Sequence, residues 1–416
     1  MSLPPPTVER APVASSRPSK ADRFFTELLA SVDVRVGGDR PWDITVRHPQ
    51  AAARILADGS LGLGEAYMDG WWDCPRIDEM LLRILQGRLE ERAGKRRLIA
   101  LWITHLLLNR QSRRRAPQVG RVHYDLDVRL FEAMLDSRLA YSCGYWAHEG
   151  TLEEAQAAKL DLVCRKLGLR PGMRLLDIGC GWGSLVGYAA QHYGVHCVGI
   201  TIAREQAEYA RQRYAQLPIE IRVQDYRALH AAEGQRFDRV ASIGMFEHVG
   251  HRNFDDFFDV VRRNLDPTGL CLLHTIGRNR RDTVPDPWMD RYIFPNHELP
   301  ALSQIADACE GRFVIEDVEN FGADYDHTLM HWYRRLEAAW PQLPMHDDER
   351  FRRMMRYYLL VCAATFRARI NQLWQLVLSP VGVPGGYRRP GAGPGSGAYA
   401  PSPSERPVGD RTAQAG

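Results

Sequence analysis

The stretch Leu176-Asp-Ile-Gly-Cys-Gly-Trp-Gly-Ser184 carries the strongest chemical signal in this 416-residue chain. An apolar run over 173–178 contains Asp177 and leads into three alternating glycines, Gly179, Gly181 and Gly183. Glycines at such a point allow a tight turn and let a ligand approach the backbone. A dinucleotide site uses Gly-x-Gly-x-x-Gly and an acidic residue ending the next strand. Here the glycines alternate and the next strand ends at Thr201-Ile202. That spacing disfavours a nicotinamide-dependent oxidoreductase. Asp225 follows a third apolar run, with Tyr226 beside it. Taken alone, Asp225 reads as a turn or helix-cap residue.

These residues need strands and helices to hold them in register. From residue 173 onward, short β-rich runs alternate with helical patterns. Strands are predicted over 173–178, 195–200, 219–223, 237–243 and 270–275, and helices over 184–193, 203–216 and 253–264. Late strands are expected over 313–318 and 373–378, with helices near 325–340 and 348–368. Such alternation implies a mostly parallel sheet covered on both faces. Its ligand crevice lies at the carboxyl ends of the strands. Glu247 stands just beyond the fourth of these strands and His274 at the end of the fifth. A cap and a satisfied core histidine are their plain structural readings.

Ahead of the sheet, residues 21–115 form a smaller, mainly helical block. Phe24, Phe25, Leu28, Leu29 and Val32 recur at helical spacing, and helices are expected over 81–85 and 98–107. Val34, Val36, Ile44 and Val46 suggest a short hairpin around Gly37-Gly38. Residues 59–72 are dense in Gly and aromatics. Between Arg88 and Arg121 there are ten Lys/Arg and two acidic residues. This run reads either as a solvated face and linker or as a surface attracted to anionic lipid head groups; composition does not choose. Trp71 and Trp72 read equally as membrane contacts or as core. Residues 1–20 and 381–416 are Pro- or Gly/Pro-rich, with little to bury, and are expected to be disordered tails.

At 45% hydrophobic and 25% charged the chain is of ordinary globular composition. A net charge of +3 gives no global drive toward nucleic acid. Eight scattered cysteines, with no Cys-x-x-Cys, argue against a disulfide framework or a zinc site and fit a reducing cytoplasm. No metal is expected. No apolar run reaches the ~18 residues of a membrane span, and the first residues lack the apolar core of a signal peptide.

The glycine turn with Asp177 resembles the first motif of S-adenosylmethionine (SAM) methyltransferases. Further stretches narrow the likeness: Tyr141-Ser-Cys-Gly-Tyr-Trp146, Ser242-Ile-Gly-Met-Phe-Glu-His-Val-Gly250, Leu272-Leu-His-Thr-Ile-Gly277 and Phe321-Gly-Ala-Asp-Tyr-Asp-His-Thr-Leu-Met-His-Trp332. With residues 59–72 and Ala364-Thr-Phe-Arg-Ala-Arg369, they resemble the bacterial two-domain cyclopropane-fatty-acyl-phospholipid synthases over roughly residues 21–380. The resemblance implies a Rossmann-like class I SAM-dependent methyltransferase fold, a seven-stranded mostly parallel sheet, over 116–380. It also implies that 21–115 is a lipid-related, dimer-forming N-terminal domain.

The implied reaction moves a one-carbon unit from SAM to the cis double bond of an unsaturated acyl chain in a membrane phospholipid. A carbocation forms, and a bound bicarbonate helps remove its proton. By the same resemblance, Cys143, Glu247, His274 and Tyr325, with the backbone N–H of Ile276, hold that ion. Tyr141, Ser142, Gly179, Gly181, Gly183, Asp177, Thr201, Ile202, Gln206, Asp225 and Tyr226 surround SAM, and His123 and Tyr124 belong to its lid. Tyr141, Tyr145, Trp146 and Phe246 are candidates to face the cation, though each also reads as core. After His123-Tyr124-Asp125 the family continues Leu-Gly-Asn-Asp, whereas this chain has Leu126-Asp127-Val128-Arg129. Asp127 is the residue available to replace the lost amide. A homodimer bound peripherally to the inner face of the cytoplasmic membrane is implied. The alternatives are a methyl-branched or methylene product from the same cation, or a non-catalytic lipid-binding module.

Overall fold

The computed structural model describes residues 18–87, 127–147, 150–230, 235–281 and 284–390. The basic run 88–121, the helix expected over 98–107, and His123 and Tyr124 lie outside them.

The chain runs α1 (Lys20–Ala30), β1 (Thr45–Val46), α2 (Ala51–Met68), β2 (Trp72–Asp73), α3 (Ile77–Gln86), α4 (Val128–Met134) and α5 (Leu152–Lys166). There follow β3 (Arg174–Ile178), α6 (Ser184–Tyr193), β4 (His196–Thr201), α7 (Arg204–Arg213), β5 (Ile219–Val223), β6 (Phe237–Ile243), α8 (Phe254–Asn264) and β7 (Leu265–Arg278). Then come α9 (Pro287–Tyr292), α10 (Leu302–Cys309), β8 (Val314–Asn320), α11 (Ala323–Ala339), α12 (Glu349–Arg367) and β9 (Asn371–Ser379).

Seven strands form one sheet in the order β5-β4-β3-β6-β7-β9-β8. Neighbours from β5 to β7 pair in parallel, and β9 lies antiparallel between β7 and β8. Strand order reverses between β3 and β6, which is where open α/β sheets form their crevice. Two apolar clusters cover the sheet's faces. One centres on Phe246, Phe254, Phe257 and Phe258, the other on Leu185, Val186, Ala207 and Tyr214.

Among the described residues, the N-terminal block shares one apolar core with α11 and α12. Trp72, wholly buried, and Tyr67 pack on Tyr357 of α12. Trp288 of α9 meets the same ring at 4.7 Å. A Cβ on Gly64 would lie 2.4 Å from the Trp288 ring, so α2 and α9 approach as closely as glycine permits. Trp72 is therefore core, while Trp71 stacks on His48 beneath Arg54.

The hairpin expected over 34–46 does not form. Val36 and Ile44 share only an isolated bridge, and Thr45–Val46 pairs antiparallel with Trp72–Asp73 instead. Burial of Trp72 carries that second strand across. Residues 381–390, assigned to the C-terminal tail by composition, dock on the sheet. Val383 and Tyr387 pack against it, the Tyr387 hydroxyl donates to the Lys166 carbonyl at 3.0 Å, and Arg389 forks onto Asp317.

One ion-pair fork ties the block to α11 and α12. Arg367 at the end of α12 donates two 2.8 Å bonds to Asp326 of α11 and one of 2.8 Å to Asp78 of α3. Asp78 is buried, and Arg76 also forks onto it. Removing Arg367 takes the counter-charge from Asp326 and leaves Asp78 to Arg76 alone, at a cost of about 3 kcal/mol. Arg367→Met is expected to lower the denaturant midpoint accordingly and to speed proteolysis of residues 20–87. An unchanged midpoint would show the fork to be incidental.

Candidate active site

A cavity of about 170 Å³ opens at the carboxyl ends of β3, β4 and β6. Tyr141, Ser142, Asp177, Gly179, Gly181, Thr201, Ile202, Gln206, Asp225 and Tyr226 all line it. Gly179, at φ +86°, turns the chain out of β3 where a side chain would collide with Met245, 2.6 Å from its Cβ. Gly183 does not line the cavity. It is the N-cap of α6, in left-handed geometry, and a Cβ there would touch Ala210 and Tyr214 at 3.0–3.1 Å. Its role is to let α6 start beside α7.

Each lining polar group is held by its own local structure. Thr201 and Gln206 are buried, with Thr201 Oγ1 3.3 Å from Gln206 Oε1. Asp225 both faces the cavity and caps the turn at Tyr226–Ala228, accepting from the Arg227 N–H at 2.9 Å. The Tyr141 hydroxyl sits 2.8 Å from that of Tyr358. Asp177 is fully enclosed. Burial pushes its carboxyl up to about 7, opposed by the charge of Lys159.

Lys159 escaped the sequence reading. It lies on α5, a helix not anticipated, on the face shared with Leu152, Ala155, Gln156 and Val163. Its Nζ donates to Ser142 Oγ at 2.9 Å and faces the cavity. Burial lowers its pKa to about 8, against the charges of Asp136 and Asp177. The available signal was a lysine inside an apolar helical stripe, a position lysine rarely takes unpaired.

Beyond the cavity, Glu247 is carried on a short turn after β6, and its Oε1 accepts from the Ile276 N–H at 2.7 Å. Its Oε2 is buried without a hydrogen-bond partner among the described residues. Burial raises the Glu247 carboxyl to about 7, although the Ile276 N–H opposes this. The Ile276 N–H is thus already engaged by Glu247. His274, two residues earlier on β7 and on the same face, is buried and held well below the usual imidazole range by that burial and by Lys159 and Lys166. Cys143 Sγ donates to the Gly144 carbonyl at 3.1 Å and lies 3.8 Å from Thr328 Oγ1, one turn of α11 from Tyr325. Burial raises the Tyr325 phenol, and Cys143, Tyr141 and Glu247 are its charge neighbours. The Cys143 thiol is likewise raised far by burial, which leaves it protonated.

Aromatic rings enclose this region. Tyr141 packs on Trp332, Tyr145 on Phe321, Tyr325 on Phe366, and Phe321 also meets His274. Phe246 is not among them. It stacks on Phe254 within the core under the sheet. Asp127 caps α4 and forks onto Arg129, so its carboxylate is committed to that helix. Among the described residues no cluster of three or more His, Cys, Asp or Glu could hold a metal ion.

The strand order, the glycine turn and the crevice define a class I SAM-dependent methyltransferase. The model of the family described as mycolic acid cyclopropane synthetase matches residues 111–376. The chain is 50% identical over 367 residues to the cyclopropane-fatty-acyl-phospholipid synthase of Escherichia coli K12, covering 88% of this chain and 95% of that one. A probable fatty acid methyltransferase of Pseudomonas putida is 33% identical, over 80% of this chain and 86% of its own length. The cyclopropane synthase MmaA2 structure from Mycobacterium tuberculosis superposes with TM-score 0.59 at 31% identity, and covers 63% of this chain and 97% of that one. The mycolic acid cyclopropane synthase CmaA1, solved in complex with SAH and CTAB, gives 0.58 at 32%, with the same coverage. The chain belongs to the cyclopropane-fatty-acyl-phospholipid synthase family.

Proposed function

We propose that this enzyme converts the cis double bond of unsaturated acyl chains in membrane phospholipids into a cyclopropane ring. The observation that carries this reading is the 50% identity across nearly the whole length of the E. coli synthase, N-terminal block included. Bound in the cavity, SAM would supply an electrophilic methyl to the alkene, its S–CH3 bond breaking to leave S-adenosylhomocysteine, and loss of a proton from that methyl would close the ring. The cavity fits that cofactor: Gly179 and Gly181 bare backbone to it, and an apolar lining set with Ser142, Lys159, Thr201, Gln206 and Asp225 suits a zwitterion joined to a nucleoside. We assign Lys159 and Ser142 to the carboxylate of SAM, and Gln206, Thr201 and Asp225 to its nucleoside.

The protein's own contribution is positioning, water exclusion and proton management. Tyr141 with Trp332, and Tyr145 with Phe321, offer electron-rich ring faces that suit a transient carbocation. Glu247 Oε2, buried and unpartnered, is placed to accept a proton. His274 and Tyr325 are placed to donate hydrogen bonds to an oxyanion. A bicarbonate held by Glu247, His274, Tyr325 and Cys143 would supply the base. Ile276 then serves it indirectly, by orienting Glu247. No described helix is long and apolar enough to cross a membrane. We infer that the enzyme docks as a homodimer on the inner face of the cytoplasmic membrane.

The test mixes the purified chain with methyl-labelled SAM and vesicles of cis-unsaturated phospholipid and identifies the acyl chains by mass spectrometry. Labelled cyclopropane chains are expected. Labelled methyl-branched or methylene chains would move the product to the alternative, a fatty-acyl methyltransferase working through the same cation. No labelled lipid would overturn the reading.

A further inference from the structure

His274 has a neighbour that the reaction itself does not call for. Register places His274 of β7 opposite Gln375 of β9, and Gln375 opposite Glu319 of β8. Gln375 is a wholly buried amide in a strand buried along its whole length. The end of α5 lowers Lys166 onto this row. Lys166 Nζ ion-pairs with Glu319 and donates to Gln375 Oε1 at 2.8 Å. Gln375 Nε2 then sits 3.1 Å from His274 Nδ1.

This chain of contacts has one consistent polarity. An ammonium only donates, so the Gln375 atom facing Lys166 is the carbonyl oxygen. The amide NH₂ therefore faces His274 and donates, and Nδ1 accepts. A neutral imidazole whose Nδ1 accepts carries its proton on Nε2. Burial and two nearby lysines hold the ring neutral. Reversal of the amide would set its NH₂ against the ammonium, donor against donor.

We propose that Gln375, oriented by the Lys166–Glu319 pair, is a positioning residue that fixes His274 as the Nε2–H tautomer and so presents a hydrogen-bond donor to the oxyanion site. The inference rests on the reading of His274 as an oxyanion donor given above. It makes Lys166 and Glu319 parts of the active site although neither lines the cofactor cavity.

The decisive variant is Gln375→Glu. A carboxylate at this position accepts on both sides, from Lys166 and from His274, and so draws the proton onto Nδ1. In ¹⁵N-histidine-labelled full-length enzyme, with the His274 signals assigned by their loss in His274→Gln, the wild type is expected to show protonated Nε2 and bare Nδ1. Gln375→Glu is expected to reverse this and to lower kcat about 100-fold, the scale of a lost oxyanion donor, with KM for SAM nearly unchanged. Gln375→Met, uncharged and of similar size, guards against a folding failure: both tautomers should populate, with a smaller fall in kcat. A wild-type ring protonated at Nδ1 overturns the proposal. So does wild-type kcat in Gln375→Glu when His274→Leu, which has no donor, is inactive. Full activity in His274→Leu would instead overturn the donor reading beneath it, and the catalytic half of this proposal with it.

Discussion

Glu247→Gln is expected to bind SAM with wild-type affinity and to lose between 10² and 10⁴ of kcat, the range for lost proton-transfer assistance, since on the proposed reading Glu247 takes up the proton of the bicarbonate base. The amide keeps the shape of the carboxyl and can still accept from the Ile276 N–H through its oxygen. It cannot take a proton. Because Glu247 lies outside the cofactor cavity, calorimetric SAM affinity and turnover on vesicles should separate cleanly. A variant that loses both together would place Glu247 in cofactor binding and remove it from proton transfer.

The same carboxyl gives the enzyme a pH signature. Its folded pKa of about 7 exceeds its ordinary value of 4.5 because burial disfavours the charged form. A group raised on folding holds its proton in the native state while the unfolded chain has lost it. Stability from this group is full below about pH 4.5 and declines as pH rises to about 7, by roughly 3 kcal/mol. Activity should run the other way and climb through about pH 7 as the carboxylate forms. Asp177, also raised to about 7 by burial, adds a stability slope of the same sign. Glu247→Gln should therefore reduce the fall in stability between pH 4.5 and 7 without abolishing it. An unaltered slope would mean that Glu247 is ionised throughout.

Much of this site could be read from the sequence because its parts are local. The glycine turn, the strands on either side and the positions of Glu247 and His274 at strand ends follow from spacing within a few residues. Right-handed crossovers then leave little choice of sheet order. What stayed hidden depends on contacts between distant segments. Thr45–Val46 pairs with Trp72–Asp73 because a tryptophan is pulled into a core shared with α12, and no local pattern records that. Phe246 sits in a motif dense with functional residues, yet faces the core with Phe254. Lys159 and Lys166 look like solvated charges on a helix rich in Glu and Lys, but both are buried. Their partners lie 17 residues away at Ser142 and more than 150 away at Glu319. Buried charge is costly and kept where it is used, so the unanticipated lysines fall at the site.

Lys159→Met is the complementary expected result: SAM affinity falls about 100-fold and kcat at saturating SAM changes little. The ammonium sits on Ser142 at one end of the cavity and is the cation best placed for a carboxylate. Losing one member of a desolvated charge pair typically costs 2–5 kcal/mol. The apoenzyme should not suffer. Methionine fills nearly the same volume, and replacing a buried charge by a well-packed apolar group is often neutral or stabilising. Asp177, no longer facing a cation, simply keeps its proton to higher pH. Thermal unfolding with increasing SAM reads both effects, since the ligand stabilises by RT ln(1 + [SAM]/Kd): the starting midpoint holds or rises while the SAM-induced shift shrinks. In the wild type the Lys159 pKa of about 8 adds a further mark. SAM affinity should weaken above that pH as the ammonium deprotonates, and this dependence should vanish in Lys159→Met. A variant that keeps the full SAM shift would leave Lys159 as a prop for Ser142 and send the carboxylate to the backbone of the glycine turn.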